Sequence, residues 1–124
     1  ILLIEDELSI AKPLRFALQD EGYDVILALS GEEGLEKAQK YSPDLVILDL
    51  MLPGIPGEMV CKEIRKTEKI KNVPIIMLTA KDTEVDKVIG KVLGANYYVT
   101  KPFNIEDLLK KIDTLLKQPD VYVI

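Results

Sequence analysis

Five short apolar runs punctuate the chain, and between them the spacing of apolar positions changes. Ile1–Ile4, Val25–Ala28, Leu45–Leu48, Ile75–Leu78 and Tyr97–Thr100 are rich in Val, Ile, Leu or Tyr and carry no charge. That is the composition of strands buried on both faces, as in a parallel sheet. Val85, Val88, Ile89, Val92 and Leu93 instead follow the three-four spacing of one helix face, with Gly94 as a C-terminal stop. Ile105, Leu108, Leu109, Ile112, Leu115 and Leu116 repeat that spacing behind Asn104, a suitable N-cap. Ser30 and Glu33 form the sequence signature of a capping box and open the second helix. Pro13 suits a first turn and not a helix interior, so the first helix is expected to begin irregularly or to kink there.

Strand and helix alternate five times. This predicts a (βα)5 doubly wound parallel sheet in three α/β/α layers, joined by right-handed crossovers. A chain of 124 residues is too short for an eight-stranded barrel, which favours the open sheet. In open sheets of this kind the site lies beyond the carboxyl ends of the strands, where strand order reverses.

Composition narrows the chemistry. Hydrophobic residues are 48% and charged residues 30% of the chain, ordinary for one globular domain with a single core. No apolar stretch approaches the roughly 20 residues that span a bilayer, and a cytoplasmic setting is expected, with no membrane binding. Cys61 is the single cysteine, so no internal disulfide forms. A net charge of −5 argues against direct nucleic-acid binding by this domain. There is no histidine, which removes imidazole bases and a phosphohistidine carried by this chain. The chain starts on a strand-like Ile1 without an initiator Met, and a few preceding native residues are expected.

The residues that follow each run are chemically selective. Glu5, Asp6 and Glu7 follow the first, Asp49 the third, Thr79 the fourth, and Lys101 with Pro102 the fifth. Clustered carboxylates repel unless a cation joins them, and oxygen-only ligands suit Mg²⁺. A lysine and a hydroxyl nearby are donors for phosphoryl oxygens, and one carboxylate is then left as nucleophile. Taken singly, each residue has a plainer explanation. Glu5 and Asp6 can be a solvated loop opening a helix, Thr79 an ordinary strand-end hydroxyl and Lys101 a surface lysine. Asp49 resists this, because a buried carboxylate without a partner costs several kcal/mol. Joint placement at four strand ends argues for a site.

The segments "LLIEDE" at 2–7, "VILDLMLPGIPG" at 46–57, "PIIMLTAKD" at 74–82 and "GANYYVTKPF" at 94–103 resemble, in order and spacing, the receiver domain of bacterial two-component response regulators. The resemblance implies a flavodoxin-like fold with strand order 2-1-3-4-5, a receiver domain over 1–118, and a linker or strand-like tail over 119–124. It implies Mg²⁺-dependent transfer, with Mn²⁺ as substitute, of a phosphoryl group from a sensor histidine kinase to Asp49. Asp6, Asp49 and the Met51 backbone carbonyl would hold the metal, with Glu5 acting through water. Thr79, Ala80 and Lys101 would bind the phosphoryl group, and the Lys101-Pro102 bond would be cis. Thr79 and Tyr98 would form the switch, reporting to the face made by the fourth helix, fifth strand and fifth helix. Met51 and Lys81 would tune phosphate lifetime. Such a domain promotes only its own phosphorylation and dephosphorylation and is not an enzyme with external turnover.

The acidic pair and "LMLPG" look most like receivers that precede a winged-helix DNA-binding domain, which these 124 residues do not contain. That subclass implies transcription regulation and a homodimer through the same face. Its members commonly read "GADDY" where this chain has Gly94-Ala95-Asn96-Tyr97-Tyr98, and Lys110 and Lys111 replace an acid–base mixture. Those changes remove salt-bridge partners from the dimer face. Three rival functions fit the residues less well. An aspartate-nucleophile phosphohydrolase would need an acid at position 51, where Met51 stands. FMN binding would need a hydroxyl- and glycine-rich loop where Glu5-Asp6-Glu7 lies. A non-catalytic receiver-like interaction module would not need the intact acceptor, acids, Thr and Lys.

Overall fold

Parallel pairing of the apolar runs organises the molecule, seen here in a computed structural model that describes residues 1–80 and 94–117. The elements are β1 (Leu2–Ile4), α1 (Leu8–Asp20), β2 (Ile26–Ala28), α2 (Gly31–Tyr41), β3 (Val46–Asp49), α3 (Gly57–Lys66), β4 (Ile75–Thr79), β5 (Tyr97–Thr100) and α4 (Ile105–Lys117). The strands form one sheet in the order β2-β1-β3-β4-β5, as expected. The predicted helix over 85–93, Lys81 and the tail over 119–124 lie outside the described residues.

Alternating side chains feed two cores. Leu2, Ile4, Val46, Leu48, Ile75 and Met77 pack on one face with Ala38 of α2 and Val60, Cys61 and Ile64 of α3. Leu3, Ile47, Ile76 and Leu78 pack on the other with Ala11, Leu14 and Leu18 of α1 and Leu108 and Ile112 of α4. This is the three-layer arrangement, and period two along the strands causes it. Burying apolar surface at about 25 cal/mol per Å² makes these two layers the main stabilising term.

Local signals act largely as expected. Ser30 Oγ accepts from the Glu33 N–H at 3.2 Å, while Glu33 Oε1 accepts from the Leu29 N–H at 2.6 Å, one residue earlier than a standard capping box. Asn104 Oδ1 accepts from the Asp107 N–H at 3.0 Å and caps α4. Pro13 departs from expectation. It lies inside α1, which already begins at Leu8. The core contacts of Ala11, Leu14 and Leu18 on either side hold the helix through it. Strand limits also shift: Asp49 and Thr79 are the last residues of β3 and β4, and not the first beyond them. The ladder continues past the apolar run, since the Leu50 N–H donates to the Leu78 carbonyl at 2.8 Å.

Candidate functional site

The topology reverses at β1, which pairs with β2 on one side and β3 on the other. Beyond the carboxyl ends of β1, β3 and β5, the strand alternation is prolonged by backbone bonds. The Glu5 N–H donates to the Ala28 carbonyl at 3.0 Å and the Lys101 N–H to the Thr79 carbonyl at 2.6 Å. Glu5, Asp49 and Lys101 therefore extend the rows that contain Leu3, Ile47 and Val99, all on the α1/α4 side of the sheet. Period two brings three charged side chains from three strands to one rim.

They meet closely. Lys101 Nζ lies 2.8 Å from Glu5 Oε1 and 3.3 Å from Asp49 Oδ2. Glu5 is 0% and Asp49 2% exposed, so both carboxylates are removed from water. The Met51 N–H donates to Asp49 Oδ1 at 3.1 Å and the Glu7 N–H to Glu5 Oε2 at 3.2 Å. Burial pushes the Glu5 carboxyl up to about 7, and the Asp49 carboxylate adds to the rise while Lys101 opposes it. Burial pulls the Lys101 ammonium down, but its contacts with Glu5 and Asp49 outweigh that and hold it above its ordinary value.

Oxygens of Glu5, Asp6 and Asp49 all lie within 4.8 Å of one another, with Asp6 exposed at the mouth. An all-oxygen set with two buried, mutually repelling carboxylates fits a hard divalent cation. Thr79 is fully buried at the tip of β4, paired in register with Thr100, and Ala80 follows it on the surface. The Lys101-Pro102 peptide is cis. Tyr98 is half-buried opposite Met77, against the α2/α3 core. Met51 is 61% exposed, two residues beyond Asp49.

Sequence reasoning missed three supports of this rim. At Gly57 an added Cβ would sit 2.4 Å from the Asp49 carbonyl oxygen and 2.7 Å from Leu50 Cα, so α3 packs directly on the backbone of Asp49 and Leu50. Glu32 accepts from the Ile55 N–H at 2.9 Å. Arg65 donates to the carbonyls of Lys71, Val73 and Gly94 and to Asn96 Oδ1, clasping the approach to β5. The second Gly of "PGIPG" was the available signal for the first. A long side chain reaching carbonyls 29 residues away leaves no periodic trace.

Residues 1–113 match the model of the response regulator receiver domain. The chain belongs to that family. It is 46% identical over 121 residues to the alkaline phosphatase synthesis transcriptional regulatory protein PhoP of Bacillus subtilis (strain 168), covering 98% of this chain and 50% of that protein. The chain thus spans half the length of this relative. The Francisella response regulator 1452 receiver domain superposes with a TM-score of 0.89 at 31% identity, over 94% of this chain and 95% of that one. Chemotaxis protein CheY4 of Vibrio cholerae gives 0.87 at 39% identity, over 93% and 96%. The receiver is a phosphoacceptor signalling switch of the two-component kind, with the flavodoxin-like fold.

Proposed function

We propose that Asp49 is the phosphoacceptor and that the donor is a phosphohistidine on a sensor histidine kinase. The observation that carries this reading is the meeting of Glu5, Asp6 and Asp49 oxygens within 4.8 Å beneath a lysine that touches two of them. A carboxylate oxygen of Asp49 attacks phosphorus as the bond from phosphorus to the donor imidazole nitrogen breaks. The imidazole leaves with that electron pair. Strand β3 holds the nucleophile, and the Met51 N–H fixes one of its oxygens. Lys101 leaves Glu5 and Asp49 to pair with the incoming phosphoryl oxygens, and the Thr79 hydroxyl takes another. Bound Mg²⁺ or Mn²⁺ would neutralise charge on the carboxylates and the phosphoryl group, held by Asp6, Asp49, the Met51 carbonyl and, through water, Glu5.

The domain promotes its own phosphorylation and dephosphorylation, without turnover of an external substrate. Thr79 and Tyr98 then carry the change toward β5, Tyr97–Thr100. A DNA-binding effector segment, a sensor histidine kinase partner and a cytoplasmic location for this chain suit the PhoP relationship. Among the described residues no helix is long and apolar enough to cross a membrane. A homodimer through the β5 face gains little from Asn96 and Tyr97, which are engaged within the chain. Asn96 Oδ1 accepts from the Ile75 N–H at 2.9 Å, and Lys111 Nζ lies 5.8 Å from the centre of the Tyr97 ring.

Incubation with acetyl phosphate and Mg²⁺, read by intact mass, tests the reading. Wild type should gain one phosphoryl group and Asp49→Asn none. Equal labelling of both proteins would refute the assignment.

A further inference from the structure

The loop that carries Met51 is clasped at its far end by the second helix. The Glu32 carboxylate, in the first turn of α2, accepts from the Ile55 N–H at 2.9 Å. Gly54 has φ of +72°, and a Cβ there would sit 2.7 Å from both Glu32 carboxylate oxygens. One residue before Glu32, a Cβ on Gly31 would lie 2.7 Å from the Ile55 carbonyl oxygen. The start of α2 is itself fixed by the Ser30–Glu33 pair. So an element that contributes no residue to the acidic rim holds the β3–α3 loop by the Ile55 N–H and packs closely against the Ile55 carbonyl.

At its near end the same loop is part of the site. The Leu50 N–H and carbonyl are tied to Leu78 and Gly57, and the Met51 N–H is tied to Asp49 Oδ1. Between these two anchors lie only Leu52 and Pro53, and the left-handed Gly54 closes the turn. We infer that Glu32 is a positioning residue: by holding Gly54-Ile55 it sets the direction of the Met51 peptide toward the cation and the acceptor.

This inference rests on the assignment of the Met51 carbonyl as a cation ligand, and the experiment separates the two. Mg²⁺ affinity is measured by calorimetry for wild type, Glu32→Ala, Glu32→Gln, Gly54→Ala and the Glu32→Ala/Gly54→Ala double variant. Exchange of the Ile55 and Met51 amides is followed by NMR in the same proteins. Glu32→Ala should weaken Mg²⁺ several-fold and speed exchange at both amides. Glu32→Gln keeps an oxygen acceptor for the Ile55 N–H and should restore most of the affinity. Gly54→Ala should also weaken Mg²⁺, and the double variant should be no weaker than the worse single variant, because both changes undo one contact. Unchanged affinity in Glu32→Ala overturns the inference, as does a Glu32→Gln variant as weak as Glu32→Ala. If wild type itself fails to bind Mg²⁺, the site assignment fails first and the inference falls with it.

Discussion

Strands β3 and β5 both end at the rim, yet they differ in how they are held. Every residue of β3, Val46–Asp49, is buried, whereas every residue of β5, Tyr97–Thr100, is half-buried. β3 lies between β1 and β4, with a helical layer on each face. β5 pairs only with β4 and is an edge among the described strands. Asp49, the proposed nucleophile, ends the first, and Lys101 follows the second. A phosphoacceptor needs its reacting oxygen fixed, and a reporter needs freedom to rearrange at low cost. Under the proposed assignment the two demands fall on strands of different burial.

The harshest way to break this contrast is to disturb the support of β3. Gly57→Ala puts a methyl 2.4 Å from the Asp49 carbonyl oxygen, and backbone on both sides cannot yield as a flexible side chain would. Its expected cost is about 3 kcal/mol or more, by analogy with severe overpacking. Val99→Ala on half-buried β5 should cost about 1 kcal/mol or less, as its removed methyls were partly hydrated. Urea unfolding of both variants measures the difference. Comparable losses would mean that β5 is as tightly held as β3.

A smaller effect concerns the charge that links the two strands. Lys101→Met leaves Glu5 and Asp49 buried together without their cation, and should cost about 2–3 kcal/mol at neutral pH in the absence of Mg²⁺. The pH dependence follows from Glu5. Its carboxyl sits at about 7 in the folded chain against 4.5 as the reference, so the folded state binds the extra proton between those values. Stability from this group is complete below 4.5 and is lost as pH rises through about 7. Lys101 opposes the upward shift, so Lys101→Met should steepen the loss and Glu5→Gln should remove it. Thermal melts across that range without Mg²⁺ decide the matter. A wild-type slope retained in Glu5→Gln would sink the claim.

These contrasts show what the sequence could convey. The five apolar runs located all five strands, and their final polar neighbours located Glu5, Asp6, Asp49, Thr79 and Lys101, because burial and period two are local properties. Strand limits were less legible. Asp49 and Thr79 join the ladder since a backbone bond does not depend on side-chain polarity, as the Leu50–Leu78 contact shows. The half-burial of β5 was also hidden, because Tyr and Val look alike in central and edge strands. In sequence Asn96 looks like a missing acid, while in the fold its amide oxygen accepts from Ile75 and Arg65. Contacts made by one long side chain with distant carbonyls depend on the assembled fold.

The smallest expected effect lies at Met51, which is exposed although it is next to β3. Its N–H is held on Asp49 Oδ1 at 3.1 Å, yet the residue is 61% exposed, so a tethered backbone presents a free apolar chain at the mouth. Water that hydrolyses an acyl phosphate must approach phosphorus in line, from the solvent side of that mouth. A thioether chain there displaces such water and offers it no acceptor strong enough to orient it. An amide would orient it. Met51→Asn should therefore shorten the lifetime of the phosphoryl group several-fold while leaving stability within about 0.5 kcal/mol, as for an exposed substitution. Decay of the phosphorylated mass after removal of acetyl phosphate gives the lifetime. An unchanged rate would show that the exposed chain of Met51 does not screen the phosphorus, and that the lifetime is set by the buried contacts of Asp49 alone.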